Sequence, residues 1–340
     1  MRLAIGLYNR NTEFMSETIE KIISSKIFTE WHWLRYHFQG LPDGEYTDFS
    51  FDLLNKLSFI EYKIPGFTEE TIRRLASYSG KVNHEPHYEQ LIQILVEVVI
   101  FYHLAEAFLA SNAEFQWEPT VPGSEKNPEL LIRDGNLSTI IEIKCPSILK
   151  HLRDAAQNDT QLGARIGDPA IFDEIAASGK ATRPLDNKIK DFLISAESKF
   201  EPFKKVDENI STVLIIAWSQ HLFEATSPLI NGMSGLLTEN SFFKGEDGKP
   251  VKFPSVDAVL ITEHLELVLR ATREEQLPYG YNSPLDYGAF LMPGVLSPAL
   301  IHNPHRNTEP NENVLQKLGA VNIEDIADPR VSPMDYVMWL

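Results

Sequence analysis

The run STVLIIAWS, from Ser211 to Ser219, is apolar without alternation. A strand with one wet face alternates apolar and polar residues. A short unbroken run of this kind reads instead as a strand buried on both faces, and helices are what cover both faces of such a sheet. The stretch before it supplies one, because in LDNKIKDFLISAESKF the residues Leu185, Ile189, Phe192, Leu193, Ala196 and Phe200 form a single helical stripe. VDAVLIT (Val256 to Thr262) and LELVLR (Leu265 to Arg270) read as a further strand pair, and AEFQWEP (Ala113 to Pro119) as another strand. A helix that is apolar on more than one side runs from about His87 to Leu109. The fold class is therefore α/β, with a central mixed β-sheet flanked by helices.

An N-terminal helical segment precedes this core. ETIEKIISSKIF (Glu17 to Phe28) is amphipathic, and FTEETIRRLASYSG offers Thr68 as a helix cap and Gly80 as a stop. The aromatic block WHWLRYHF (Trp31 to Phe38) reads as core rather than as a ligand surface. The expected division is a helical accessory segment over 1–84, an α/β core over 85–302 and a tail over 303–340. The tail is rich in Pro and Asn and receives no fold. Residues from about Asp154 to Pro184 read as a polar excursion.

Composition narrows the function. The formal charge is −17 over 340 residues, which disfavours nonspecific attraction to nucleic acid or to an anionic membrane. The most apolar window, ILVEVVIFYHLAEAF (Ile94 to Phe108), carries two glutamates and a histidine and does not read as a membrane span. One cysteine, Cys145, excludes an internal disulfide, and the first twenty residues lack a secretory pattern, so a cytoplasmic location is expected. Cys145 itself reads as a packed thiol. His302 and His305, with Pro304 between them, read as a loop.

The segment NPELLIRDGNLSTIIEIKCPS (Asn127 to Ser147) contains the strongest chemical signal. Asp134-Gly135 between two apolar runs predicts a hairpin with a two-residue turn needing positive φ at both central positions. That turn sets Arg133 opposite Asn136 and Glu129 opposite Ile140, leaving Glu129 diagonal to Glu142, roughly 7 Å away. Glu142 and Lys144, two apart on one strand, share a face. Two carboxylates and a lysine on an apolar sheet need compensation, which a divalent cation would give; a surface ion-pair ladder is the plainer reading of Glu-x-Lys alone.

Pro128-Glu129, a short hairpin, then Glu142-Ile143-Lys144, between an acidic helix and a following helix and strand, resembles the PD-(D/E)XK nuclease superfamily with its restriction-endonuclease-like core. The resemblance covers roughly His87 to Thr262, and the Asp that usually follows the proline stands here as Glu129. It implies a nuclease that hydrolyses phosphodiester bonds, in DNA first of all, with Mg²⁺ or Mn²⁺. Glu129, Glu142 and the Ile143 carbonyl would ligate the metal, Lys144 would position the attacking water, and Glu97, ahead of Glu106, would be the helix glutamate. From Lys144 to Lys205 eleven Lys and Arg stand against nine Asp and Glu, so this stretch escapes the general acidity. Lys150, Arg153, Asn187 and Lys188 are the candidate phosphate contacts, with Arg165, Lys180, Arg183 and Lys190 behind them. Asn187 and Lys188 also sit where a helix start offers spare N–H groups. A nuclease-like scaffold without catalysis, binding nucleic acid or protein, is the alternative, and a homodimer or protein partner fits either reading.

Overall fold

The structure, a computed structural model, describes residues 14–79, 85–158, 181–219, 221–273 and 299–326, with shorter stretches between and after them. The chain divides into two compact units, Met1–Trp117 with His264–Leu296, and Glu118–Glu263 with Ser297–Leu340. The boundary expected at residue 84 does not coincide with this division.

The first unit is mainly helical. Helix α1 (Asp48–Lys63) starts at Thr47, whose hydroxyl accepts from the Ser50 N–H while Ser50 reaches back to the Thr47 N–H, a reciprocal cap. Helix α2 (Phe67–Ser77) begins after Gly66 at φ 88°, not at Thr68. Its first donors are met by the Glu61 carboxylate, which accepts from the N–H groups of Gly66 (2.6 Å) and Thr68 (2.9 Å). The Thr68 hydroxyl donates instead to Leu57 O and ties α2 to α1. Gly80, the expected stop, lies outside the described residues. The aromatic block divides: His32, Leu34, His37 and Phe38 are buried, whereas Trp31 and Tyr36 are exposed.

Helix α3 (Glu85–Ala107) is long and apolar enough to cross a membrane, but 67% of its apolar window is buried inside the structure, the arrangement of a core helix. It packs with α1 and with the helix His264–Thr272. Leu265–Arg270, expected as a strand, belongs to that helix. Its Leu265, Val268 and Leu269 fall on one side at helical spacing, and Glu266 pairs with Arg270 one turn on. Six residues of near-alternation satisfied both periods, and the helical one won.

The sheet has six strands, in the spatial order β1 (Glu114–Trp117), β2 (Leu130–Asp134), β3 (Leu137–Lys144), β4 (Ser211–Ala217), β5 (Ala258–Thr262) and β6 (Ala299–His302). Strands β3, β4 and β5 run parallel, β2 and β6 pair antiparallel at either side of them, and every residue of β4 and β5 is buried. Within the second unit, helix α4 (Leu149–Gln157) follows β3, and helix α5 (Asp186–Val206) packs on β3 and β4 through Ile189, Phe192, Leu193, Ala196, Phe200 and Phe203. At the far end of α5, Lys204 places its ammonium 2.7 Å from both oxygens of buried Asp257, which also accepts the Thr212 N–H at 2.8 Å. That clasp fixes α5 to the starts of β4 and β5. Residues 303–326, to which the sequence assigned no fold, hold a helix (Glu312–Lys317) capped by Asn311, and bury Val314, Leu315 and Leu318. His302, expected in a loop, instead ends β6 and pairs with Ala258; the loop begins at Asn303, which is buried with its amide on Phe253 O and Val256 O.

Candidate active site

The hairpin turns at Gly135-Asn136, one residue later than the Asp-Gly signal indicated, and Asp134 pairs with Leu137. Gly135 takes φ 63° and Asn136 does not have positive φ, the pattern of a II′ turn, which needs glycine only at its first central position. Moving the turn by one residue shifts the register by two, so parity survives. Leu130 pairs with Ile141, and continuing that register by one residue sets Glu129 opposite Glu142 rather than diagonal to it. Glu129 is held at that point by its own carbonyl, which accepts the N–H of Glu118 at 3.0 Å. Glu118 has φ 44°, the left-handed region that a residue with a Cβ occupies at a cost.

Glu142 lies at the centre of the sheet with no exposed surface. Lys144, two residues on and on the same face, places Nζ 2.6 Å from Glu142 Oε1. A second ammonium does the same: Lys199 of α5 is 2.6 Å from Glu142 Oε1 and 3.9 Å from Glu129 Oε1. The sequence reading missed Lys199. Its signal was present, because it lies three residues after Ala196 and just before Phe200, on the margin of the buried stripe, where an aliphatic stem lies along apolar surface and carries its charge to the edge. Among the described residues neither Glu142 oxygen has a hydrogen-bond partner, and the two ammonium groups stand at Oε1 as ion pairs. The site thus brings two carboxylates and two ammonium groups together at the ends of β2 and β3 and the facing side of α5.

The donor set suits a hard cation of the Mg²⁺ kind, which keeps several waters and needs only one or two protein carboxylates. The fit rests on the Glu142 carboxylate, buried and without a hydrogen-bond partner among the described residues, and on Glu129, which shares Lys199 with it. Among the described residues no three His, Cys, Asp or Glu side chains form a metal-holding group, so the rest of the shell would be carbonyl, water and substrate oxygen. Ile143, whose carbonyl was the third expected ligand, lies between Glu142 and Lys144 with its side chain buried.

The other expected residues are distributed differently. Glu97 of α3, in the first unit, is gripped by Arg74 through both oxygens at 2.6 and 3.0 Å, so its cation is a guanidinium. Glu106, the other helix glutamate, accepts from the Tyr102 hydroxyl at 3.2 Å. Lys150 and Arg153 stand on α4, and Lys150 pairs with Asp154 one turn on at 3.4 Å. Asn187 and Lys188 are exposed at the start of α5, but the Asn187 N–H is taken by the Asp186 carboxylate and the Lys188 N–H by Leu185 O. The spare amides expected at those two residues are already used. Lys188 lies over the Phe192 ring at 5.4 Å, and Lys190 over Phe243 at 5.5 Å. Arg165 and Lys180 fall outside the described residues. Cys145 is half-buried just after β3.

Comparison with models of known protein families, with curated proteins and with solved structures finds no match to this chain.

Proposed function

We propose that the chain is a metal-dependent nuclease that hydrolyses phosphodiester bonds, DNA being the first substrate to test, and that it works in the cytoplasm. The observation that carries this reading is the buried Glu142 carboxylate, ion-paired with two lysines but without a hydrogen-bond partner among the described residues, and sharing Lys199 with Glu129. A Mg²⁺ or Mn²⁺ ion held by Glu129 and Glu142 would supply a polarised water and neutralise charge developing on the phosphate. The chain's own groups do the rest. Lys144 donates toward the attacking water, and the Glu142 charge keeps that ammonium aimed at the end of the strand. Lys199 offers a second donor to a non-bridging phosphate oxygen. The PD-(D/E)XK resemblance supports the assignment of roles to Glu129, Glu142 and Lys144.

The second reading, a nucleic-acid or protein-binding scaffold of nuclease-like form without catalysis, is favoured by one specific observation. The two lysines balance the two carboxylates, so the site is electrically complete without a metal. Purified protein incubated with linear, supercoiled and single-stranded DNA and with RNA, in Mg²⁺, Mn²⁺ or EDTA, separates the two. Cleavage that needs metal and falls at least about a hundredfold in Lys144→Ala, with the circular dichroism unchanged, is the expected result. Wild-type rates in that variant would sink the mechanism, and no cleavage under any condition would favour the scaffold.

A further inference from the structure

We propose that the second unit carries a separate pocket for a terminal phosphate, just beyond the end of β3. A cleft of about 530 Å³ opens there, lined among others by Ser147, Lys150, His151, Asp154, Thr182 and Arg183. Its size is that of a small-ligand pocket, enough for one nucleotide. Lys150, paired with Asp154 at 3.4 Å, and Arg183 place two cationic side chains in the lining, and the hydroxyls of Ser147 and Thr182 add donors for an anion. The Thr182 hydroxyl accepts from the Asn158 amide at 2.9 Å, which leaves its own proton for a ligand oxygen.

The feature that marks the cleft as built is His151. Its side chain is only 7% exposed, and its Nε2 lies 3.4 Å from both oxygens of buried Glu224. Glu224 in turn accepts the Trp218 indole N–H at 3.3 Å. A buried chain of Trp, Glu and His is costly unless every polar group is satisfied, and this one fixes an imidazole in the wall of the cleft. Ser147 follows Lys144 by three residues, so the cleft begins within about 11 Å of the candidate active strand. A strand whose scissile bond lay at Glu142 and Lys144 would therefore bring a nearby terminal phosphate monoester to Lys150, Arg183 and His151. The inference depends on the nuclease reading only for the source of that phosphate.

Binding is measured in EDTA, where cleavage plays no part, by anisotropy of labelled single-stranded octamers ending in 5′-phosphate, in 3′-phosphate or in hydroxyls, with inorganic phosphate and a nucleoside monophosphate as competitors. One of the phosphorylated octamers is expected to bind about tenfold more tightly than the hydroxyl octamer, and the preference to vanish in Lys150→Ala/Arg183→Ala. Lys150→Glu, at a side chain 80% exposed, reports the same loss should the double variant not fold. Competition by phosphate and monophosphate without any strand preference supports the pocket and assigns it to free nucleotide. Equal affinity for all octamers with no competition, or a preference that survives both variants, overturns the proposal. A phosphate preference in a protein that never cleaves would overturn the nuclease reading alone.

Discussion

Lys199 holds one ammonium within 2.6 Å of Glu142 and 3.9 Å of Glu129, the place between two carboxylates where a divalent cation would have to compete. Lys199→Met removes that competitor and keeps the aliphatic stem. In EDTA the variant is expected to lose about 2 kcal/mol, because a buried carboxylate gives up one charged partner. Added Mn²⁺ is expected to raise its melting temperature more than that of the wild type, since a cation at 100 times its Kd returns about 2.7 kcal/mol. Indifference of both proteins to Mn²⁺ would count against a metal at this site. In the first unit His264 is completely buried, and burial, with smaller contributions from the charges of His103 and Lys56, pushes its imidazole down to about 3 from 6.5. Between those values the unfolded chain binds the proton and the folded chain does not, so stability falls as pH drops from about 6.5 towards 3. His264→Gln is expected to flatten that part of the urea-midpoint curve; parallel curves for the two proteins would refute the assignment.

Among the elements, the hairpin is the one whose detail decides the chemistry. Gly135→Ala forces a Cβ into φ 63° and is expected to cost about 1 kcal/mol, whereas Asn136→Ala, at ordinary φ, is expected to cost less. Equal losses in denaturant titrations would place the turn elsewhere. Most of the elements that build the sheet were legible in the sequence, because β4 and β5 are continuous apolar runs and α5 carries a clean stripe. The face shared by Glu142 and Lys144 was legible too, since a period of two admits no other result. What failed did so for physical reasons. Leu265–Arg270 is too short for its period to be decisive, and the cap of α2 is a carboxylate seven residues upstream of Thr68 by chain but adjacent in space through α1. Likewise Lys199 reaches Glu142 across more than fifty residues of chain, a pairing that no local pattern encodes.

The whole chain is interleaved, since the first unit is completed by His264–Leu296 after the second unit has begun. Sequence order suggested consecutive segments because α3 looks like the opening helix of the α/β core. The structure gives it to the helical unit, where it packs with α1 and His264–Thr272. Leu265→Asp/Val268→Asp, which places charge on the buried face of the returning helix and leaves the second unit whole, should therefore uncover apolar surface of α3; the variant is expected to aggregate or bind a hydrophobic dye, while the wild type does not. A soluble, dye-silent variant would show that the returning helix is dispensable. The same threading bears on how the protein is made. Helix α3 leaves the ribosome well before the segment that covers it, and at roughly 5–20 residues per second that interval lasts on the order of ten seconds or more. During synthesis this long apolar helix waits for part of its cover, so the nascent protein should be a customer for chaperones in proportion to how slowly it is translated.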